Sequence, residues 1–153
     1  MDKDIKKLKV SAIRNGTVVD HIPANNLFKV ITILGLDHID NQITFGTNLE
    51  SKLLGIKAIV KISDRFFTQE EINRIAIAAP QAKLNIIRNY KVKEKKRVTV
   101  PDEFTGIVKC VNPKCITNND DVKPRFRVIS KKVVSLKCHY CEKITDQEHM
   151  VFI

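Results

Sequence analysis

Four cysteines in the last third of the chain carry its plainest chemistry: Cys110, Cys115, Cys138 and Cys141. They form a C-x4-C and a C-x2-C cluster with 22 residues between them. Each cluster is short enough to place two thiolates on one ion. Two such knuckles closing on one Zn2+ make a tetrahedral four-sulfur site. A full sulfur shell leaves no open position for water or substrate, so the expected ion is structural and the chemistry must be sought elsewhere. Two disulfides, in any of three pairings, are the alternative. The chain opens MDKDIKKLKV, charged and without an apolar signal region, which predicts a cytoplasmic, reducing setting and favours metal. A C-x2-C redox pair would not need a partner cluster. His139 adjoins Cys138 but is expected to be a bystander where four thiolates are at hand.

No other motif offers catalysis. There is no G-x-x-x-x-G-K-[ST] loop, no G-x-G-x-x-G fingerprint and no G-x-S-x-G elbow. Five glycines leave few backbone cradles for phosphate. Asp20-His21 resembles an acid–base pair, yet neighbours in a regular strand point to opposite faces and converge only if the strand is ending. Ile22-Pro23 suggests such an end. The chain is therefore expected to catalyse nothing alone. A ligand remains possible. Asp20 suits ribose hydroxyls, His21, Lys61 and Lys95 suit phosphate oxygens, and Tyr90 suits a base. The net charge of +10 also favours anionic partners.

These residues need a scaffold, and the 153 residues suffice for one medium domain or two small ones. No apolar stretch approaches the ~20 residues that span a bilayer. A junction is expected at VTVPDE (98–103), after the charged run KVKEKKR. It divides an N-terminal domain, 1–100, from a C-terminal domain, 101–153. The latter is too small to bury a secure core, so metal binding must supply folding free energy.

Upstream, LKVSAIR and TVVDHI flank Asn15-Gly16, a two-residue hairpin signal. Leu27, Val30, Ile31 and Leu34 recur at helical spacing, with Asn25 and Asn26 as caps and Gly35 at the end. QITFG and IKAIVKI read as strands. A second helix starts at the Thr68/Glu71 capping box, buries Ile72, Ile75, Ala76 and Ala79, and stops at Pro80. A last strand or pair covers 83–95. The order ββαββαβ predicts an α+β fold: a ferredoxin-like antiparallel sheet with two helices on one face. In IKAIVKI, Ile56, Ala58, Val60 and Ile62 should meet the helices, leaving Lys57, Ile59 and Lys61 on the open face. The C-terminal domain reads as a small all-β zinc-binding unit built from GIVKC, FRVIS, VSLKC and HMVFI.

RNGTVVDHIPA, APQAKLNIIRNYKV and the late cysteine clusters, in that order, resemble the regulatory chain of aspartate carbamoyltransferase over nearly the whole length. The resemblance implies an allosteric N-terminal domain that forms a homodimer and binds CTP, UTP and ATP. It implies a zinc domain, with one ion per chain, that docks on the catalytic chain of pyrimidine biosynthesis. It also implies a nucleotide pocket. Val10, Ala12 and Ile13 would line the base, and Asp20 and Lys61 would hold the ribose and nearby phosphate. His21 and Lys95 would meet phosphates, and Asn85, Ile87, Tyr90 and Val92 would complete the wall. Lys57, with Lys6 and Lys7, would serve a second nucleotide alongside. No nucleic acid and no membrane is expected as partner. The rival reading is a zinc-ribbon nucleic-acid binder, which the charge favours and the aromatic content of 6%, without Trp, opposes.

Overall fold

A computed structural model describes residues 12–153. The chain forms two compact units, one ending at Thr99 and one running from Val100 to Ile153. Val10, Lys6, Lys7 and most of the LKVSAIR strand reading lie outside the described residues.

The first unit contains β1 (Gly16–Pro23), α1 (Leu27–Ile33), β2 (Ile43–Ser51), β3 (Gly55–Ser63), α2 (Gln69–Arg74), β4 (Lys83–Arg88) and β5 (Lys91–Arg97). The strands form one antiparallel sheet in the order β2-β3-β1-β4-β5. With β5 set aside, that order and the interleaved helices are the expected ferredoxin-like arrangement. One face of the sheet is sealed: Val19, Ile22, Ala58, Val60, Ile62 and Leu84 are fully buried. Leu27 and Val30 of α1 and Ile72, Ile75, Ala76 and Ala79 of the second helical segment are buried as well. Both helices are too short to hold in water alone. Burying each Leu, Ile or Val contributes about 1.5–3 kcal/mol, so packing holds them in place.

Local signals explain most of the ends. Thr68 accepts from the Glu71 backbone N–H while the Glu71 carboxylate accepts from the Thr68 N–H, so the capping box is formed. Gly35 takes the left-handed conformation, φ 68°, just past α1.

Three sequence expectations are corrected. Asn15-Gly16 is not a hairpin turn: from Gly16 onward β1 pairs with β3 on one side and β4 on the other. Glycine is required there for another reason. A Cβ at Gly16, with φ 142°, would sit 2.0 Å from the Ile62 carbonyl oxygen. Asn26 does not cap α1; its amide donates to the Ala78 carbonyl at 2.7 Å and ties the two helical segments together. Ile56 is 52% exposed at the start of β3, beyond the reach of the helices. The last segment is a pair of strands. Asn89 and Tyr90 form its two-residue turn with φ of 51° and 66°, the primed geometry that suits a twisted hairpin.

The second unit has no α-helix. It contains β6 (Glu103–Thr105), β7 (Val108–Lys109), β8 (Arg125–Ser130), β9 (Ser135–Cys138), β10 (Ile144–Asp146) and β11 (Val151–Phe152). Four strands form one sheet, β10-β9-β8-β6, while β7 pairs with β11. Its core is small: Phe126, Leu136, Val134 and Val108 are buried, and Phe104 packs on Phe126 with ring centroids 5.5 Å apart.

Candidate functional site

The sulfur cluster sits between two short turns of the second unit. Cys110 and Cys115 bracket the first, which asparagine side chains hold in shape. Asn118 donates to the carbonyls of Cys110 at 2.9 Å and Asn112 at 2.7 Å, and Asn119 donates to those of Pro113 and Cys115, both at 2.8 Å. Cys138 and Cys141 bracket the second, closed by Cys138 N–H to Lys143 O and Glu142 N–H to Cys138 O, both 3.0 Å. All four Sγ atoms lie within 4.8 Å of one another. The spacings Cys110–Cys141 and Cys115–Cys138 are 3.6 and 3.7 Å. A disulfide needs about 2.05 Å, so these are free thiols. Tetrahedral thiolates at about 2.3 Å from a zinc ion stand about 3.8 Å apart, so the four sulfurs fit one ion. His139 is not in the cluster; its ring meets Tyr140 edge-on.

The thiols do not titrate alike. Burial pushes Cys110 up to about 12 and raises Cys138. At Cys115 burial also pushes upward, but bonds from Thr117, whose hydroxyl donates to the sulfur at 3.2 Å, outweigh it and bring the group to about 7. Buried thiols that resist ionisation become thiolates when a cation shares their cage.

The second site lies on the helix-free face of the first unit. Side chains alternate along strands, so register decides who meets whom. Val18 faces Lys61 on β3 and Asn85 on β4, and Asn85 faces Lys95 on β5. One step along, Asp20 faces Lys83, and Lys83 faces Arg97. Toward the other end, Ile13, Val18 and Ile87 form a buried apolar cluster with Ile59 against it. An apolar patch thus adjoins a strongly cationic one.

A bulge in β1 shapes the polar end. The register of β1 on β3 slips between Val19 and Ile22, and His21 sits at φ 60°. The bulge, and not the end of the strand, turns Asp20 and His21 toward each other, with Asp20 Oδ2 3.6 Å from His21 Nδ1. Asp20 accepts from Lys57 Nζ at 2.9 Å and from the His21 N–H at 2.6 Å. His21 Nδ1 is buried without a hydrogen-bond partner. Its pKa is lowered by burial; Asp20 raises it, and Lys57 and Lys83 lower it further. Burial also lowers Lys61, against the pull of Asp20. These groups border a cavity of about 460 Å3, lined by Asp20, His21 and Asn85 with Lys83, Lys95, Lys96 and Arg97.

Among the sequence-predicted residues, Asp20, His21, Asn85 and Lys95 therefore share one cavity, Lys57 and Lys61 flank it, and Ile13 and Ile87 share the apolar cluster. Ala12, Tyr90 and Val92 are exposed; Val92 stands opposite Ile87, while Tyr90 sits in the hairpin turn with its N–H on the Arg14 carbonyl. Sequence reasoning did not single out Lys83, Lys96, Arg97 or Val18, and it placed Ile59 on the open face without giving it a role. Alternation along 83-85-87 was the available signal for Lys83 and needed only the strand register.

Two family profiles match the chain. Residues 8–99 match the aspartate carbamoyltransferase regulatory chain, allosteric domain, and residues 102–151 match its metal binding domain. The chain belongs to the aspartate carbamoyltransferase regulatory chain family. The regulatory chain of Bacteroides fragilis is 54% identical over 153 residues, 100% of both chains. That of Phocaeicola vulgatus is 55% identical over 148 residues, 97% of this chain and 96% of its own. That of Thermococcus sibiricus is 52% identical over 147 residues, 96% of this chain and 97% of its own. The family's members are regulatory and not catalytic chains, and the sulfur cluster falls within the matched metal binding domain, compatible with one structural zinc ion. Among the described residues no helix is long and apolar enough to cross a membrane.

Proposed function

We propose that this chain senses nucleoside triphosphates with its first unit and grips the catalytic chain of aspartate carbamoyltransferase with its second. The carrying observation is the open sheet face, where the Ile13–Val18–Ile87 cluster adjoins Asp20, Lys61, Asn85 and Lys95. A base suits the apolar cluster, ribose hydroxyls suit the Asp20 carboxylate, and phosphates suit the cations. CTP, UTP and ATP are the effectors this arrangement supports. Cys110, Cys115, Cys138 and Cys141 hold the zinc ion and keep the docking unit folded. The chain works in the cytoplasm as a homodimer joined through its first unit.

The logic of control is linkage. A nucleotide shifts the catalytic chain only by binding one state of the assembly more tightly than the other, and coupling of about 1–3 kcal/mol is typical. Adding CTP, UTP or ATP to the chain reconstituted with its catalytic partner should change carbamoyltransferase activity, while the catalytic chain alone stays indifferent. Equal indifference of the reconstituted complex to all three would overturn the proposal.

A further inference from the structure

The four sulfurs of the cage are not equivalent. Cys110, Cys115 and Cys138 are 3%, 2% and 1% exposed, while Cys141 is only half-buried. The two knuckles are also braced unequally. In the first, Asn118 and Asn119 donate to carbonyls from Cys110 to Cys115, and the Asn112 side chain accepts from the Lys114 N–H at 3.1 Å. The second is closed by backbone bonds, and Glu142, next to Cys141, sits at a left-handed φ of 64°. That conformation is unfavourable for a residue with a Cβ. Cys141 thus occupies the looser and more accessible turn.

Cys115 lies at the other extreme. The Thr117 hydroxyl donates to its sulfur at 3.2 Å. Four thiolates around one divalent cation leave a net negative cage, so a donor aimed at one sulfur steadies the charge there and fixes its direction. Such outer partners change metal affinity by about 10–100-fold. A closed cage offers no open coordination position, so a competing ligand must enter where a sulfur can be reached. We infer that exchange of the metal runs through Cys141, and that Thr117 is a positioning residue that makes Cys115 the last sulfur to let go. The inference rests on the four-thiolate zinc reading and adds an order to it: one releasing corner and one anchored corner.

The test uses the full-length chain purified with its metal. A short pulse of limiting N-ethylmaleimide is followed by unfolding and full labelling with an isotopically heavy form. Peptide mass spectrometry then gives the order in which the sulfurs come free. Cys141 should carry the most pulse label and Cys115 the least. Equal labelling of all four, or a first place for any of the buried three, would overturn the inference. Thr117→Val keeps the shape of the side chain and removes the hydroxyl, whereas Thr117→Ser keeps the hydroxyl. Zinc transfer to a chromophoric chelator should be about tenfold faster in Thr117→Val and unchanged in Thr117→Ser. With Co2+ in place of zinc, the sulfur-to-metal absorption band should shift in Thr117→Val alone. Equal acceleration in both variants would mark a packing role and overturn the assignment of Thr117, and so would unchanged rates in both. If the chain as purified carried no zinc, the zinc reading itself would fall, and this inference with it.

Discussion

The two units of this chain reach a folded state by different routes. The first has a five-stranded sheet sealed on one side by aliphatic residues and two helical segments, so apolar burial alone can hold it. The second spans Val100–Ile153, with a few buried apolar residues and strands of two to six residues. A unit of that size is marginal without a crosslink or a metal. The contrast teaches that one chain can hold the proposed sensing surface and the proposed gripping surface in units that are stabilised by different means. A perturbation of the metal cage should leave the sheet intact, and a perturbation of the sheet's open face should leave the cage loaded.

Zinc removal is the strongest way to break that contrast. A chelator should unfold 101–153, since structural zinc sites contribute about 10 kcal/mol or more to folding. The amide signals of the first unit should survive in the NMR spectrum. Loss of both sets of signals together would mean that the two units are not independent. A smaller effect is expected from Phe126→Ala. Truncating this buried ring, which packs on Phe104, should cost about 3–5 kcal/mol. It should appear as easier loss of zinc to a competing chelator, with nucleotide affinity unchanged.

On the other unit, Lys95→Ala removes a cation from the cavity. A charge-assisted hydrogen bond contributes about 1.5–3 kcal/mol, so triphosphate affinity should fall tenfold or more at unchanged zinc content. Wild-type affinity by calorimetry would remove Lys95 from the site. The finest effect concerns His21. Burial lowers its pKa below that of an unfolded histidine, so as pH falls below about 6.5 the unfolded chain takes up the proton first and stability declines. A phosphate beside the ring favours its protonated form. Nucleotide binding should therefore take up a fraction of a proton, and affinity should strengthen as pH falls from about 8 to about 6. Titrations in two buffers of different ionisation heat measure that uptake, and His21→Gln should abolish it.

Much of this was legible because the signals were local. Each cysteine knuckle, the Thr68–Glu71 box and the Ile72–Ala79 stripe involve residues a few positions apart, and each appears in the structure, while the two knuckles meet across the 22 residues between them because one ion can use all four thiolates. What failed depended on neighbours far along the chain. Asn15-Gly16 carries the sequence of a tight turn, but the glycine answers to the carbonyl of Ile62 on another strand. Asn26 has the side chain of a cap, but Ala78 offers it a better partner. Asn89-Tyr90 turns a hairpin without a glycine, so it gave little warning of its positive φ angles. At the site, residue types were readable while membership was not. Alternation placed Lys57 and Lys61 on the open face, but Lys83 and Arg97 join it only through pairings among β1, β4 and β5.

The kink at Asp20-His21 lies in the middle strand of five, with β3 paired on either side of it and β4 paired as far as Asp20. A bend at the margin of a sheet can relax into solvent; a bend at its centre has no slack on either side. A displacement of this corner therefore passes first to β3, which brackets it, and to β4 only through Asp20.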